Sequence, residues 1–274
     1  VPAATNVTTT LRLTPSAQAP QAHQAIAFTA RHGAADTAVL FRLPVQVQPQ
    51  LVPLVAEAAQ WSRPTVNPAL RQTNTMLVYA AAGETLSLKL NNVRVTRYTD
   101  ALNYRLIGPS LQTIKEGSVA VDQSASLALP APETGVYTLS LRVQSGSVVV
   151  ACDNRVAAEL ATAATPLNVF CSPLTRYFYV PPGAKEFRLG ACDGGPDEGA
   201  RFVVTSPTGR QAFDFDGNYL GAEIPIAVAP EEAGKVWKLT LTPKQDIKFW
   251  LAGEVCPYLS TAPERALVEV FYRP

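Results

Sequence analysis

The stretch IAVAPEEAGKVWKLTLTPKQDIKFW (Ile226 to Trp250) reads as a strand, a Pro/Glu/Gly turn, and two longer strands whose apolar residues recur at every second position. A period of two belongs to a chain that turns successive side chains to opposite faces. Trp237, Leu239 and Leu241 therefore share one face, with Lys238 and Thr240 on the other. In the last strand Ile247, Phe249 and Leu251 face inward, which leaves Lys248 and Trp250 outward. Earlier in the chain, LALPAPETGVYTLSLRVQSGSVVV (Leu127 to Val150) follows the same plan. With one residue inserted after Gly234, Tyr137 falls on Trp237 as a shared core position, and Trp250 matches Val150.

Two further blocks extend the repeat. MLVYAAAGETLSLKL (Met76 to Leu90) lies over YFYVPPGAKEFRLGA (Tyr177 to Ala191), each a strand, a turn at Gly83 or Gly183, and a second strand. YRLIGPSLQTI (Tyr104 to Ile114) lies over FVVTSPTGRQAF (Phe202 to Phe213), each with a Pro-containing tight turn between apolar runs. The expectation is an all-β fold: tandem antiparallel β-sandwich, jelly-roll-like modules at 74–162 and 163–274, preceded by an N-terminal β segment and connector at 1–73. In that segment Thr8 to Thr14, Ala25 to Ala30 and Ala38 to Val47 read as strands, with His32 to Asp36 as a hairpin turn. Strands so few need a partner, which Ala266 to Tyr272 is placed to supply. Pro49 to Trp61 is expected to include a short helix, Ser62 to Asn74 to be a polar connector, and Trp61 to staple the N-terminal segment to the first module.

Charge narrows the partners. Lys plus Arg is 23 against 22 for Asp plus Glu, with no basic cluster, so neither nucleic acid nor an anionic membrane is expected as a partner. No apolar run reaches the length of a membrane-spanning helix, and the chain opens at Val1 without a signal-like stretch, so a mature or excised fragment is expected. Four cysteines, Cys152, Cys171, Cys192 and Cys256, lie in the second half without metal-ligand spacing, and an even count suits two disulfides in an oxidising compartment, secreted or at the cell surface or periplasm, the alternative being four buried free thiols in a cytosolic protein. Parity puts Arg188, Gly190 and Cys192 outward on their strand and extends the outward parity of Trp250 to Cys256, which favours a bridge between Cys192 and Cys256 if their strands are neighbours. Cys152 at the close of the first module and Cys171 at the opening of the second favour a bridge that clamps the linker. Asn6-Val7-Thr8 is a glycosylation sequon of little weight.

Catalytic constellations are missing from the sequence. The chain has two histidines, His23 and His32, both around the N-terminal hairpin and without a nucleophile elbow. No inward-facing acidic pair of the kind that flanks a glycosidic bond is present. The carboxylates gather in apparent loops, at Asp193, Asp197 and Glu198, at Asp214 and Asp216, and at Glu231 with Glu232, where solvation is their ordinary state. Asp214-Phe-Asp216-Gly-Asn218 alternates oxygen ligands around a glycine turn, a pattern that wraps a hard cation such as Ca2+ and is also a plain Asp-Gly hairpin turn. Aromatic rings remain, since they stack on sugar faces while neighbouring polar groups fix orientation. Trp250 with Lys248 leads, Tyr219 and Tyr258 are loop candidates, and Tyr177 with Tyr179 forms a second outward stripe.

Tyr177 to Ala191, SPTGRQAFDFDG (Ser206 to Gly217), GKVWKLTL (Gly234 to Leu241) and CPYLSTAPE (Cys256 to Glu264) together resemble the small β-sandwich modules appended to secreted bacterial polysaccharide-degrading enzymes. More distantly they resemble the pre-peptidase C-terminal type of jelly roll. The resemblance implies a carbohydrate-active context and carries over no binding residue. The expected function is a non-catalytic accessory region that binds a polysaccharide or surface glycan, beside an adjacent catalytic domain. The alternatives are a structural spacer or adhesion segment that binds protein, and an enzyme centred on the loop carboxylates.

Overall fold

Alternating apolar residues between Gly- and Pro-marked turns leave the chain little choice but strands, and strands are what form. The structure, a computed structural model, describes residues 23–31, 38–46, 50–55, 65–154 and 156–272. Among these the chain is all-β, broken only by short 3-10 turns at Pro230–Glu232, Pro263–Arg265 and Val270–Tyr272. Contacts divide it into two compact units, Val1–Gln50 and Leu51–Pro274.

In the first unit β1 (His23–Arg31) and β2 (Ala38–Gln46) pair antiparallel, from His23 opposite Gln46 to Arg31 opposite Ala38. The strands expected there both form, while Thr8 to Thr14, the turn His32 to Asp36, the sequon and Trp61 lie outside the described residues.

The second unit opens with β3 (Leu51–Pro53) and β4 (Thr65–Val66). The first half of this unit follows as β5 (Leu70–Ala80), β6 (Thr85–Val93), β7 (Leu102–Ile107), β8 (Thr113–Val119), β9 (Ser124–Pro130) and the long β10 (Gly135–Cys152). Next come β11 (Val156–Leu160) and β12 (Leu167–Phe170), then β13 (Leu174–Val180), β14 (Glu186–Asp193), β15 (Ala200–Thr205), β16 (Gln211–Gly217), β17 (Leu220–Ala227), β18 (Lys235–Pro243) and β19 (Asp246–Gly253). The unit ends with β20 (Tyr258–Ser260) and β21 (Leu267–Glu269).

Pairing sorts these strands into two layers. In the first half β5, the N-terminal part of β10, β7 and β8 lie side by side, and β9, β6 and the C-terminal part of β10 form the facing layer. The register of β10 slips between Val143 and Val148, so a single strand serves both layers. In the second half β13, β18, β15 and β16 lie in that same order, and β17, β14 and β19 face them. Here the work of β10 is divided between β18 and β19. Inward side chains fill the space between: Phe187 of β14 meets Phe178 and Trp237 edge-on at 5.4 and 5.2 Å, and Phe202 meets Phe249 at 5.3 Å. Tyr137 and Trp237 are both fully buried, as their parity requires.

Both layers continue from one half into the other. Along the first, β5 pairs with β11, β11 with β20, and β20 with β13. Along the second, Leu70 lies opposite both Val148 and Val169, and β12 continues to β19. The segment expected as a connector from Ser62 to Asn74 is therefore partly strand, because Leu70 is needed to close this layer. The expected helix after Pro49 is replaced over Leu51–Pro53 by β3, which pairs with β21 near the chain's end. Residues 56–64 lie outside the described residues.

At the seam a carboxylate and a guanidinium are buried together. Arg176 of β13 donates from Nε and Nη2 to Glu159 of β11 at 2.8 and 2.6 Å, with side-chain exposures of 6 and 2%. Arg176 Nη1 adds a bond to the Thr175 carbonyl at 3.0 Å. On the other layer the Asn168 amide donates to Asn74 Oδ1 and its side chain to the Thr73 carbonyl, both at 2.8 Å. Burial makes such a pair indispensable once present, since removing one partner strands the other in a medium that solvates it poorly. We expect Arg176→Met alone to destabilise the protein by about 3–5 kcal/mol, and Arg176→Met with Glu159→Leu to recover most of that loss. Urea midpoints for the four members of the cycle test this, and additive losses would contradict it.

Each half also holds a hairpin turn with one glutamate. Glu133 accepts from the Ser110 amide at 2.9 Å, the Ser110 hydroxyl and Gln112 Nε2 at 2.7 Å, and its carbonyl accepts from Tyr137 Oη at 2.7 Å. At the matching position Glu232 accepts from Thr208 at 2.9 Å and from Arg210 Nε at 3.0 Å, and its carbonyl accepts from Trp237 Nε1 at 3.1 Å. Glu232, expected to be a solvated loop carboxylate, is instead buried, because it ties the β15–β16 turn to the core tryptophan. Its hydrogen bonds to Arg210 hold the carboxyl down from 4.5 to about 2. A depressed folded value contributes stability that is complete above the unfolded value and is lost as pH falls through the folded one. Glu232→Gln is therefore expected to melt below the wild type at pH 7, with the gap closing between pH 4.5 and about 2 in a melting series.

Candidate functional site

Outward residues on the second layer of the second half come from β14, β17 and β19. On β14 the alternation buries Phe187, Leu189 and Ala191 and turns Arg188, Gly190 and Cys192 to the other side. Register then sets Gly190 between Glu223 of β17 and Trp250 of β19. Only a glycine fits this place: a Cβ at residue 190 would stand 2.1 Å from Cε2 and 2.4 Å from Nε1 of the indole. The ring thus lies across the backbone of the neighbouring strand, and its Nε1 reaches over to donate to Glu223 Oε1 at 2.9 Å. The other oxygen of Glu223 is 3.0 Å from Arg188 Nη1. Trp250 is half-buried, with one ring face against the sheet, and Lys248, two residues along the strand, is exposed.

The arrangement is a fixed aromatic plate with a carboxylate and a guanidinium at its edge. Its geometry suits stacking and hydrogen bonding. Fixing both the plate and its polar neighbours beforehand lowers the entropy cost of binding. The first half has nothing comparable. Lys89 lies between Ser126 and Ala151 at the matching rows, so the counterpart of Trp250 is Ala151. The match of Trp250 to Val150 is one residue out of register, for Val150 is fully buried and corresponds to inward-facing Phe249.

Several expected site residues are elsewhere. Tyr219 and Tyr258, expected in loops with open rings, are 4 and 3% exposed. Tyr219 packs edge-on against Phe202 and Phe215 and donates to the Phe215 carbonyl. Burial pushes its hydroxyl pKa upward. Tyr258 and Tyr179 pack in a second apolar cluster with Leu77, Val156, Cys256, Leu267 and Val268. The outward stripe expected of Tyr177 and Tyr179 is therefore covered at Tyr179, and Tyr177 is half-buried.

Asp214 and Asp216, expected in a loop, stand on strand β16, with Asn218 exposed just after it. Asp214 is already engaged by Arg201 through two bonds of 2.8 and 2.7 Å and by Gln211 at 2.5 Å, and the Arg201 bond draws its pKa down. An extended strand spreads its carboxylates rather than wrapping them around an ion. Among the described residues no group of three or more His, Cys, Asp or Glu is placed to hold a metal.

The expected disulfides do not form, and all four cysteines are free. The Cys256 amide bonds to the Tyr179 carbonyl on the first layer, whereas Cys192 lies on β14 in the second, so the sandwich separates them. Cys152 faces the core, and Cys171 is exposed in the turn before β13. With the bridges goes the premise for an oxidising compartment. Burial raises both Cys152 and Cys256 to about 12. Native protein is expected to alkylate at exposed Cys171, slowly because partial desolvation and Asp246 raise its thiol pKa, and to label Cys152 and Cys256 only after denaturation; mass spectrometry of peptides without reductant checks this, and a linked pair would refute it.

Glu223 is the site residue that sequence reasoning misses. Alternation in EIPIA (Glu223 to Ala227) places it opposite the inward Ile224 and Ile226, and that is the available signal. No protein-family model matches the chain, and no curated protein matches it.

Proposed function

We propose that this chain is a non-catalytic carbohydrate-binding region, that its two halves are tandem copies of one sandwich unit, and that the second copy carries the ligand surface. The observation that carries the reading is the Trp250 ring laid on Gly190 and held by Glu223 beside Arg188. Flat rings bind the apolar faces of sugars, and a carboxylate paired with a guanidinium offers acceptors and donors to hydroxyl groups. The identical order of strand pairing in the two halves supports the duplication. The first copy, with Ala151 in place of the tryptophan, acts as a structural support. Secretion or display at a cell surface, beside a catalytic domain, fits a polysaccharide-binding role and rests on the resemblance of the second half to accessory modules.

A spacer or protein-adhesion role is the second reading, and one observation favours it: Leu220, beside Cys192 on the same layer, is 93% exposed. A glycan array separates the two. The wild type is expected to bind at least one polysaccharide and Trp250→Ala to lose about tenfold or more in affinity, as befits a stacking anchor. Absence of binding to every glycan by the wild type would overturn the proposal.

A further inference from the structure

The proposed glycan surface also constrains which glycan fits. We infer that the site takes a soluble, neutral polysaccharide, holding one pyranose residue over Trp250 with its hydroxyls against Glu223 and Arg188. This rests on the proposed function and adds a substrate class to it.

The first constraint is the number of plates. Among the outward residues of β14, β17 and β19, Trp250 is the single aromatic: the others include Glu186, Arg188, Gly190 and Cys192, then Leu220, Glu223, Pro225 and Ala227, then Asp246, Lys248 and Ala252. Farther across the layer Phe170 is capped by the Arg71 guanidinium, 4.9 Å above its ring, and Arg71 is held there by Asp246 at 2.5 Å. A crystalline polysaccharide presents sugar rings in a flat, repeating array, and affinity for it comes from several coplanar rings acting together. One plate flanked by upstanding charged side chains cannot lie flush on such an array. It suits a single residue of a solvated chain, approached from several sides.

The second constraint is charge. Glu223 accepts from Trp250 with one oxygen and faces Arg188 with the other, so carboxylate and guanidinium neutralise each other at the plate's edge. An acidic sugar stacked on Trp250 would bring its carboxylate up to Glu223, a repulsion that the already engaged Arg188 offsets only by giving up its partner. Lys248 adds one ammonium, but it is exposed and screened by salt. A hydroxyl group donates to Glu223 and accepts from Arg188 without disturbing their pair.

Glu223 is on these grounds a positioning residue for the ring as well as a ligand contact. Glu223→Gln keeps an acceptor for the indole N–H, whereas Glu223→Ala removes it. Gly190→Ala forces the ring off the strand. The indole fluorescence maximum reads ring position independently of binding.

The test uses the full chain. Native gels containing soluble neutral polysaccharides (hydroxyethylcellulose, galactomannan, xylan) are compared with gels containing soluble polyuronates (polygalacturonate, alginate) and with sedimentation on microcrystalline cellulose and chitin. The expected result is retardation by at least one neutral polymer, little by the polyuronates, and no retention on either solid. Glu223→Ala and Gly190→Ala should lose about tenfold in affinity with a shifted fluorescence maximum, and Glu223→Gln should retain most of both. Retention on crystalline solid, or retardation by polyuronates as strong as by the neutral polymers, overturns this inference and leaves the proposed function standing. Failure to bind any of these polymers while the wild type binds some other glycan overturns it equally, and failure on every glycan overturns the proposed function with it.

Discussion

The Arg176–Glu159 pair sits where the two halves of the larger unit become one body. Neither residue would be tolerated there alone, because each is almost wholly removed from water and each satisfies the other through two short bonds. An ordinary hydrophobic contact at the seam would let β11 and β13 slide along β20. A bidentate pair fixes their register, and register in a sheet decides which face each side chain meets. The Asn168 bonds to Asn74 and Thr73 do the same for the opposite layer. With both layers locked across the seam, the core from Leu70 to Leu259 is continuous and the outward rows stand at fixed spacings.

That rigidity reaches the site through β19. This strand pairs with β12 on the seam side and with β14 on the other, so Trp250 is carried on a central strand rather than on a loop. Binding groups on strands keep their geometry better than groups on mobile connections. The difference between the halves follows from single residues: Lys89 and Ala151 stand where Gly190 and Trp250 stand in the second half, and a lysine at the glycine position leaves no room for a ring to cross.

Much of this is legible in the order of the residues. Period-two alternation is enough to bury Trp237 and Tyr137 and to turn Trp250, Lys248, Arg188 and Gly190 outward, because it reports the local geometry of a strand directly. What escapes it depends on contacts between distant segments. The burial of Tyr219 and Tyr179 comes from neighbours far away in sequence, Phe202 for one and Leu267 for the other. The bridge between Cys192 and Cys256 fails because parity gives a side of a strand without saying which layer the strand joins. The one-residue error over Val150 arises where β10 runs unbroken through the corner that β18 and β19 turn with a loop. Asp214 has the look of a ligand until Arg201 is placed across the hairpin from it.

The proposed binding of a glycan to the second half alone, on the row Glu223, Gly190 and Trp250, is tested most directly by backbone chemical-shift mapping during titration with a soluble neutral polysaccharide fragment. The largest changes are expected on that row, on Arg188 and on the Trp250 indole N–H, with Lys89, Ser126 and Ala151 unmoved. Changes centred on the first half, or on the β15–β16 hairpin around Asp214, would contradict it.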